Sequence, residues 1–149
     1  MPWPDLLQSR ERLPAVADLA EGFATLLQQL GNVTPFELAV AGGRRMATPG
    51  LAFLVGYQAA LRMLWPSAPL SLGALCATEQ RSLRPSDMQT RLTDLRLSGA
   101  KDFVTAGDAA DWLLIAARSE EAGATPRLSL AVVYPGEPGV TVEKLPALP

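Results

Sequence analysis

Four residues, Pro66 to Pro69 (PSAP), separate two kinds of hydrophobic pattern, and that separation restricts the chain to folds in which helices precede strands. Upstream, apolar residues recur at helical spacing. Pro14 can open a helix on which Val16, Leu19, Phe23, Leu26, Leu27 and Leu30 share one face, and Gly31-Asn32 can close it. Thr34-Pro35 and Thr48-Pro49 open two more in the same way. The last of these carries Leu51, Leu54, Val55, Leu61 and Leu64 and leaves little polar surface except near Gln58 and Arg62. Downstream, LGALCAT, LRL, KDFVT, WLLIAA, LSLAVV and VTVEKL are short apolar or alternating runs broken by Gly, Pro, Ser and Asp, as antiparallel strands are. The sequence therefore predicts an α+β fold: a helical cluster over residues 1–68, then an antiparallel β-barrel or sandwich-like domain over 69–149.

Composition narrows the chemistry. The 149 residues suffice for one domain with a real core, and 48% hydrophobic content with a net charge of −2 argues against both a disordered chain and a nucleic-acid binder. With no histidine and one cysteine, Cys76, the chain cannot build a Ser-His-Asp triad, a zinc-hydrolase site or an internal disulfide framework. Cys76 lies in an apolar strand with no cation near it in sequence and reads as an inert buried thiol. The opening MPWPDLLQSRERLP has no secretory pattern, and the apolar run Gly50–Leu64 is shorter than the ~18 to 20 residues of a membrane helix. A cytoplasmic protein with no membrane or metal partner is the expectation. Trp3, Trp65 and Trp112 are too scattered for a stacking platform and read as core or interface residues. The AGGRR stretch, Ala41 to Arg45, is either a glycine turn that exposes amides to an anion or a close-packing point between helices, and packing is favoured.

The stretch CATEQRSLRPSD, Cys76 to Asp87, carries a threonine–glutamate pair, two arginines and a serine–aspartate pair, and is followed by LSGAKDFVTAGDAADW, Leu97 to Trp112. Together with PGEPGVTVEKL, Pro135 to Leu145, these segments resemble the acyl-CoA dehydrogenases. That family shows T-E-x-x-x-G-S-D, then L-N/S-G-x-K-x-F/W-I/V-T/S-x-A/G, then a turn of the P-G-V/F type. The resemblance spans roughly Leu72 to Leu145. It implies FAD as cofactor and an acyl-CoA ligand. Leu75, Ala77 and Thr78 would lie along the flavin, and Phe103 and Thr105 would flank it from a second strand. Ser86 would help to hold the phosphate-bearing parts of the ligands, with Arg84 beside it. Such a site suits a flavin, which needs an apolar wall for its ring and donors where negative charge rises on reduction.

The sequence also departs from that family. QRSLRP stands where a glycine-rich turn is usual, so Arg81 or Arg84 would supply charge in place of backbone amides, unless both are simply solvated. Only a tight hairpin around Thr93-Asp94 fits between Asp87 and Leu97. Leu75 occupies a position where an aromatic is common. The family's catalytic base, a glutamate, comes from a helical domain that would follow Pro149. Glu79 is the substitute to weigh, against the reading of a glutamate that holds its turn together, which is favoured. No catalytic residue is assigned. The leading expectation is an FAD-dependent acyl-CoA dehydrogenase-like unit, incomplete in this chain. A homo-oligomer or a second chain would then cover its flavin face. The alternative is a non-catalytic binding or assembly module of the same fold.

Overall fold

The computed structural model describes residues 3–8 and 11–145, with the side chains of Trp3 and Leu6 outside the description. The reading of Trp3 as a core or interface residue therefore lies outside the described residues. The chain divides into two compact units, 1–72 and 73–149.

The first unit is helical: α1 (Trp3–Gln8), α2 (Leu19–Leu30), α3 (Pro35–Arg45) and α4 (Pro49–Leu64). The start of α2 is a correction. Asp18, not Pro14, caps it, because its carboxylate accepts the Glu21 amide at 2.9 Å and satisfies one of the free first-turn donors. Gly31, at φ 66°, ends the helix with its N–H on Leu27 O. Thr34-Pro35 and Thr48-Pro49 open α3 and α4, the first through a capping box in which Thr34 and Glu37 hydrogen-bond each other's backbone. AGGRR lies inside α3, so it forms no amide-exposing turn. A Cβ on Gly42 would stand 2.5 Å from Val55 Cγ1, so this glycine lets α3 and α4 approach closely.

Gln58 and Arg62 correct a second expectation. Neither is surface: Gln58 is fully buried and Arg62 is 8% exposed. Arg62 donates to Gln58 O (2.9 Å), Gln58 Oε1 (3.3 Å), Pro69 O (2.7 Å) and Ser71 O (3.1 Å), with its guanidinium 5.1 Å from the Phe23 ring centroid. The segment after α4 offers carbonyls and no carboxylate, so burial pushes the Arg62 pKa down. No helix among the described residues is long and apolar enough to cross a membrane.

The second unit is one five-stranded sheet: β1 (Gly73–Cys76), β2 (Arg91–Thr93), β3 (Arg96–Ser98), β4 (Trp112–Arg118) and β5 (Leu128–Val133). It is mixed and open, which corrects the expected antiparallel barrel. β1 runs parallel to β4, while β2–β3 and β4–β5 are antiparallel. The parallel pairing follows from connection length, since residues 77–111 intervene and a tight hairpin is not forced. The β2–β3 hairpin forms at Thr93-Asp94 as expected, with Asp94 and Leu95 both at positive φ. KDFVT and VTVEKL are not strands.

The central strand β4 is buried from Trp112 to Ala117, as a run of unbroken apolar residues requires. Pairing places Ala74, Cys76, Leu113, Ile115 and Val133 on one face, where Ala110, Leu97, Val104 and Val140 complete a core. On the other face the Trp112 indole lies over Gly73. A Cβ there would come within 2.1–2.3 Å of three indole carbons.

Gly73→Ala should accordingly destabilise the second unit by about 1–3 kcal/mol, the usual cost of overpacking. In a Trp112→Phe background the same change should cost measurably less. A double-mutant cycle by denaturant titration checks this, and equal costs in both backgrounds would contradict the contact.

Candidate functional site

Beyond β1 the chain reverses at once. Glu79 N donates to Ser82 O (3.0 Å) and Ser82 N to Glu79 O (2.9 Å), closing a two-residue turn over Gln80 and Arg81. Both turn residues are left-handed, with φ 50° and 62°. A turn of this shape favours glycine, and each L residue forced into it costs on the order of 1 kcal/mol. The turn without glycines thus keeps a glycine-type backbone.

What holds that turn is the Glu79 carboxylate. Oε1 accepts the Gln89 amide at 2.8 Å, and Oε2 accepts the Thr90 amide (3.2 Å), the Thr90 hydroxyl (2.9 Å) and Lys101 Nζ (3.0 Å). Both members of the Glu79–Lys101 pair are buried, their side chains 7% and 6% exposed. Burial pushes the Glu79 carboxyl up. The hydrogen bonds from Lys101, Thr90 and Gln89 outweigh burial and hold it below the ordinary value. A carboxylate enclosed and occupied in this way is a structural anion, and it has no access to a substrate proton. Sequence reasoning quoted Lys101 but missed its role. A pair separated by 22 residues has no local signature.

A second loop joins the first. Asp102 N donates to Thr78 O (3.0 Å), and Arg81 N donates to Asp102 Oδ2 (3.3 Å). Asp102 Oδ1 is buried with no hydrogen-bond partner among the described residues. The next residue, Phe103, sits at φ 52° and is 55% exposed, and Ala106 is left-handed as well. Six described non-glycine residues have positive φ. Two form the β2–β3 turn, and the other four are Gln80, Arg81, Phe103 and Ala106, in these two loops. Phe103 and Thr105 therefore do not alternate along a strand as expected. The reason is that residues 101–110 bond to Thr78 and to their own short turns, Gly107 N to Val104 O and Ala109 N to Ala106 O, rather than to a neighbouring strand.

Leu75 is partly exposed on β1, in register with Leu114 and, beyond it, Val132. Ala77 and Thr78 are partly buried just past the strand, and Thr78 is the residue brought to Phe103 through Asp102. Thr105 is exposed. Ser86 is exposed in a single 3-10 turn, Pro85–Asp87, and its hydroxyl donates to Asp87 Oδ1 at 3.1 Å. Ser82 donates to Asp87 Oδ2 at 2.8 Å, and these two hydroxyls, with Arg84 nearby, hold the Asp87 carboxyl below its usual range. Arg81 and Arg84 are exposed, and neither guanidinium has a hydrogen bond or ion pair among the described residues. Cys76 is buried, and burial pushes its thiol up to about 11, so it is no nucleophile at neutral pH. No group of three or more acidic or cysteine side chains able to hold a metal occurs among the described residues.

No family model matches the chain, and no curated protein matches it.

Removing the carboxylate by Glu79→Ala strands Lys101 in a buried site, and should cost about 3–5 kcal/mol of stability in the second unit. The pH dependence has a definite sign. The folded Glu79 pKa lies below the ordinary 4.5, and Glu120, bonded to the Arg127 amide and to Arg118, is pulled down to about 2. Their contributions are present above pH 4.5 and are lost as pH falls through the lower folded values. Denaturant midpoints measured from pH 7 to pH 3 should fall with acid, and less steeply for Glu79→Gln than for the natural chain.

Proposed function

We propose that this chain is an acyl-CoA dehydrogenase-like binding unit, which takes a flavin ring at the Thr78–Phe103 junction and an acyl-CoA type ligand beside it. The observation that carries the reading is the concentration of left-handed backbone at the two loops joined by Asp102. Strain of this kind persists where surrounding contacts over-determine a conformation, and it clusters at ligand sites. Here it coincides with a bulky aromatic, Phe103, held out to solvent. Evolution toward stability alone would bury that ring or replace the left-handed residues by glycine.

FAD can be tested against the residues present. Its ring is suited by exposed Phe103, with Leu75 on β1, Ala77 and Thr78 just past that strand, and Thr105 further on. Its diphosphate is a different matter, because Ser86 is engaged by Asp87, which is itself an anion. The groups left for phosphate are the guanidiniums of Arg81 and Arg84, whose paired donors suit it. When bound, FAD would supply the electron acceptor for α,β-dehydrogenation of an acyl thioester. The chain's own part is to hold ring and phosphate. Glu79 is already committed to Lys101 and Thr90, which favours the second reading, a non-catalytic binding or assembly module.

The two readings separate by experiment. FAD titrated into the protein should bind with a change in flavin absorbance. Arg81→Ala with Arg84→Ala should weaken binding at least tenfold, since a charge-assisted contact contributes about 1.5–3 kcal/mol and ~1.4 kcal/mol is a factor of ten. Added salt should weaken the natural chain more than the double variant. A protein that stays colourless with FAD, or equal affinities with and without the arginines, would sink the flavin reading. Acyl-CoA oxidation by this chain alone, with an artificial acceptor, is expected to be absent; turnover without a copurifying second chain would overturn that.

A further inference from the structure

The sheet has three outer edges, and they are not alike. β1 is largely buried, and β3 is three residues long and carries Arg96. β5 is six residues long, and the stretch Leu128–Tyr134 has neither a charge nor a proline. Natural edge strands are blunted by charge, proline, bulges or shortness, because a bare edge recruits another strand. β5 has none of these devices.

Its hydrogen-bonding capacity can be assigned from the register. Ser119 N donates to Arg127 O at 2.9 Å, and the pairing continues through Arg118–Leu128 to Leu113–Val133. Bonded and non-bonded pairs alternate in an antiparallel ladder. Ser129, Ala131 and Val133 therefore bond inward to β4, and Leu128, Leu130 and Val132 turn their N–H and C=O groups outward. The same three residues are 48%, 47% and 38% exposed, with Tyr134 next in the row at 45%. Within the described residues of the second unit the chain does not pair with this edge. After β5 it turns at Glu137, Val140 packs against the core cluster, and Lys144 pairs with Asp108 at 3.0 Å.

We infer that the β5 edge is the docking surface for a second copy of this chain, joined strand to strand about a two-fold axis at Leu130. The edge accepts a strand and nothing else, since its free groups are a backbone ladder. The sequence suits its own reverse. Leu130 faces Leu130 of the other copy and Leu128 faces Val132, so no charge is opposed anywhere along the pairing. Each outward amide of Leu128, Leu130 and Val132 donates to a carbonyl across the axis, and the two apolar rows become one continuous stripe. Both copies use the same patch, so the association closes at a dimer.

Sedimentation of the full chain at tens of micromolar should give a dimer. Leu130→Lys should weaken it at least tenfold, with an unchanged circular dichroism spectrum reporting that the chain remains folded. Leu95→Lys, at an exposed turn residue, should leave it unchanged. Amide hydrogen exchange on the natural chain tests the geometry without any variant: the Leu128, Leu130 and Val132 amides should be protected in the dimer and exchange faster on dilution. A monomer at these concentrations overturns the inference, whether those amides are open or covered by the chain's own residues. So does a dimer that leaves them unprotected or is indifferent to Leu130→Lys.

Discussion

The second unit is organised around one buried ion pair. Glu79 and Lys101 are excluded from water together, and a pair so placed is tolerable only when its remaining lone pairs and protons are satisfied. Glu79 meets this with the amides of Gln89 and Thr90 and the Thr90 hydroxyl. The consequence is geometric. One carboxylate fixes the exit from β1, the approach to β2 and the start of the 101–110 loop, three stretches far apart in sequence. The left-handed residues on either side of it lie in short turns outside the named helices and strands, and that anchor ties those turns together.

The helical unit shows the same reliance on a buried charge with different partners. Arg62 stabilises the segment after α4 through carbonyl oxygens of Pro69 and Ser71 and through the Phe23 ring. Guanidinium suits this task because its donors point in fixed directions and its face accepts an aromatic ring.

Much of the architecture was legible in the sequence. Thr-Pro pairs mark the starts of α3 and α4, the apolar run 112–117 marks the central strand, and Thr93-Asp94 marks the hairpin. These signals are local, acting within a few residues. The failures share the opposite property. A carboxylate three residues before a helix amide competes with Pro14, and Asp18 wins because it satisfies a donor. Gln58 and Arg62 look like a polar face until Arg62 is bonded by the Pro69 and Ser71 carbonyls and by Gln58. KDFVT has strand composition, yet Asp102 bonds to Thr78 and Phe103 turns left-handed, so the ladder never starts. At the candidate site, Thr78 and the 103–105 segment are singled out in sequence only by a resemblance, and the strand expected over 103–105 does not form. The bonds of Asp102 to Thr78 and of Lys101 to Glu79, which join the two loops, have no sequence signal, because these partners lie more than twenty residues upstream.

The parallel pairing of β1 with β4 also sets an order of assembly. β4 and β5 are joined by residues 119–127, a short closure, whereas β1 must find β4 across residues 77–111, and a longer loop is entropically costlier to close. Non-local pairing of this kind slows folding. The β4–β5 hairpin should therefore form early, and β1 should dock onto it late, as the Glu79–Lys101 pair closes. Folding rates would register this as sensitivity to substitutions at Leu114 and Ala131 and near-indifference to substitutions at Ala74, whose loss would instead speed unfolding.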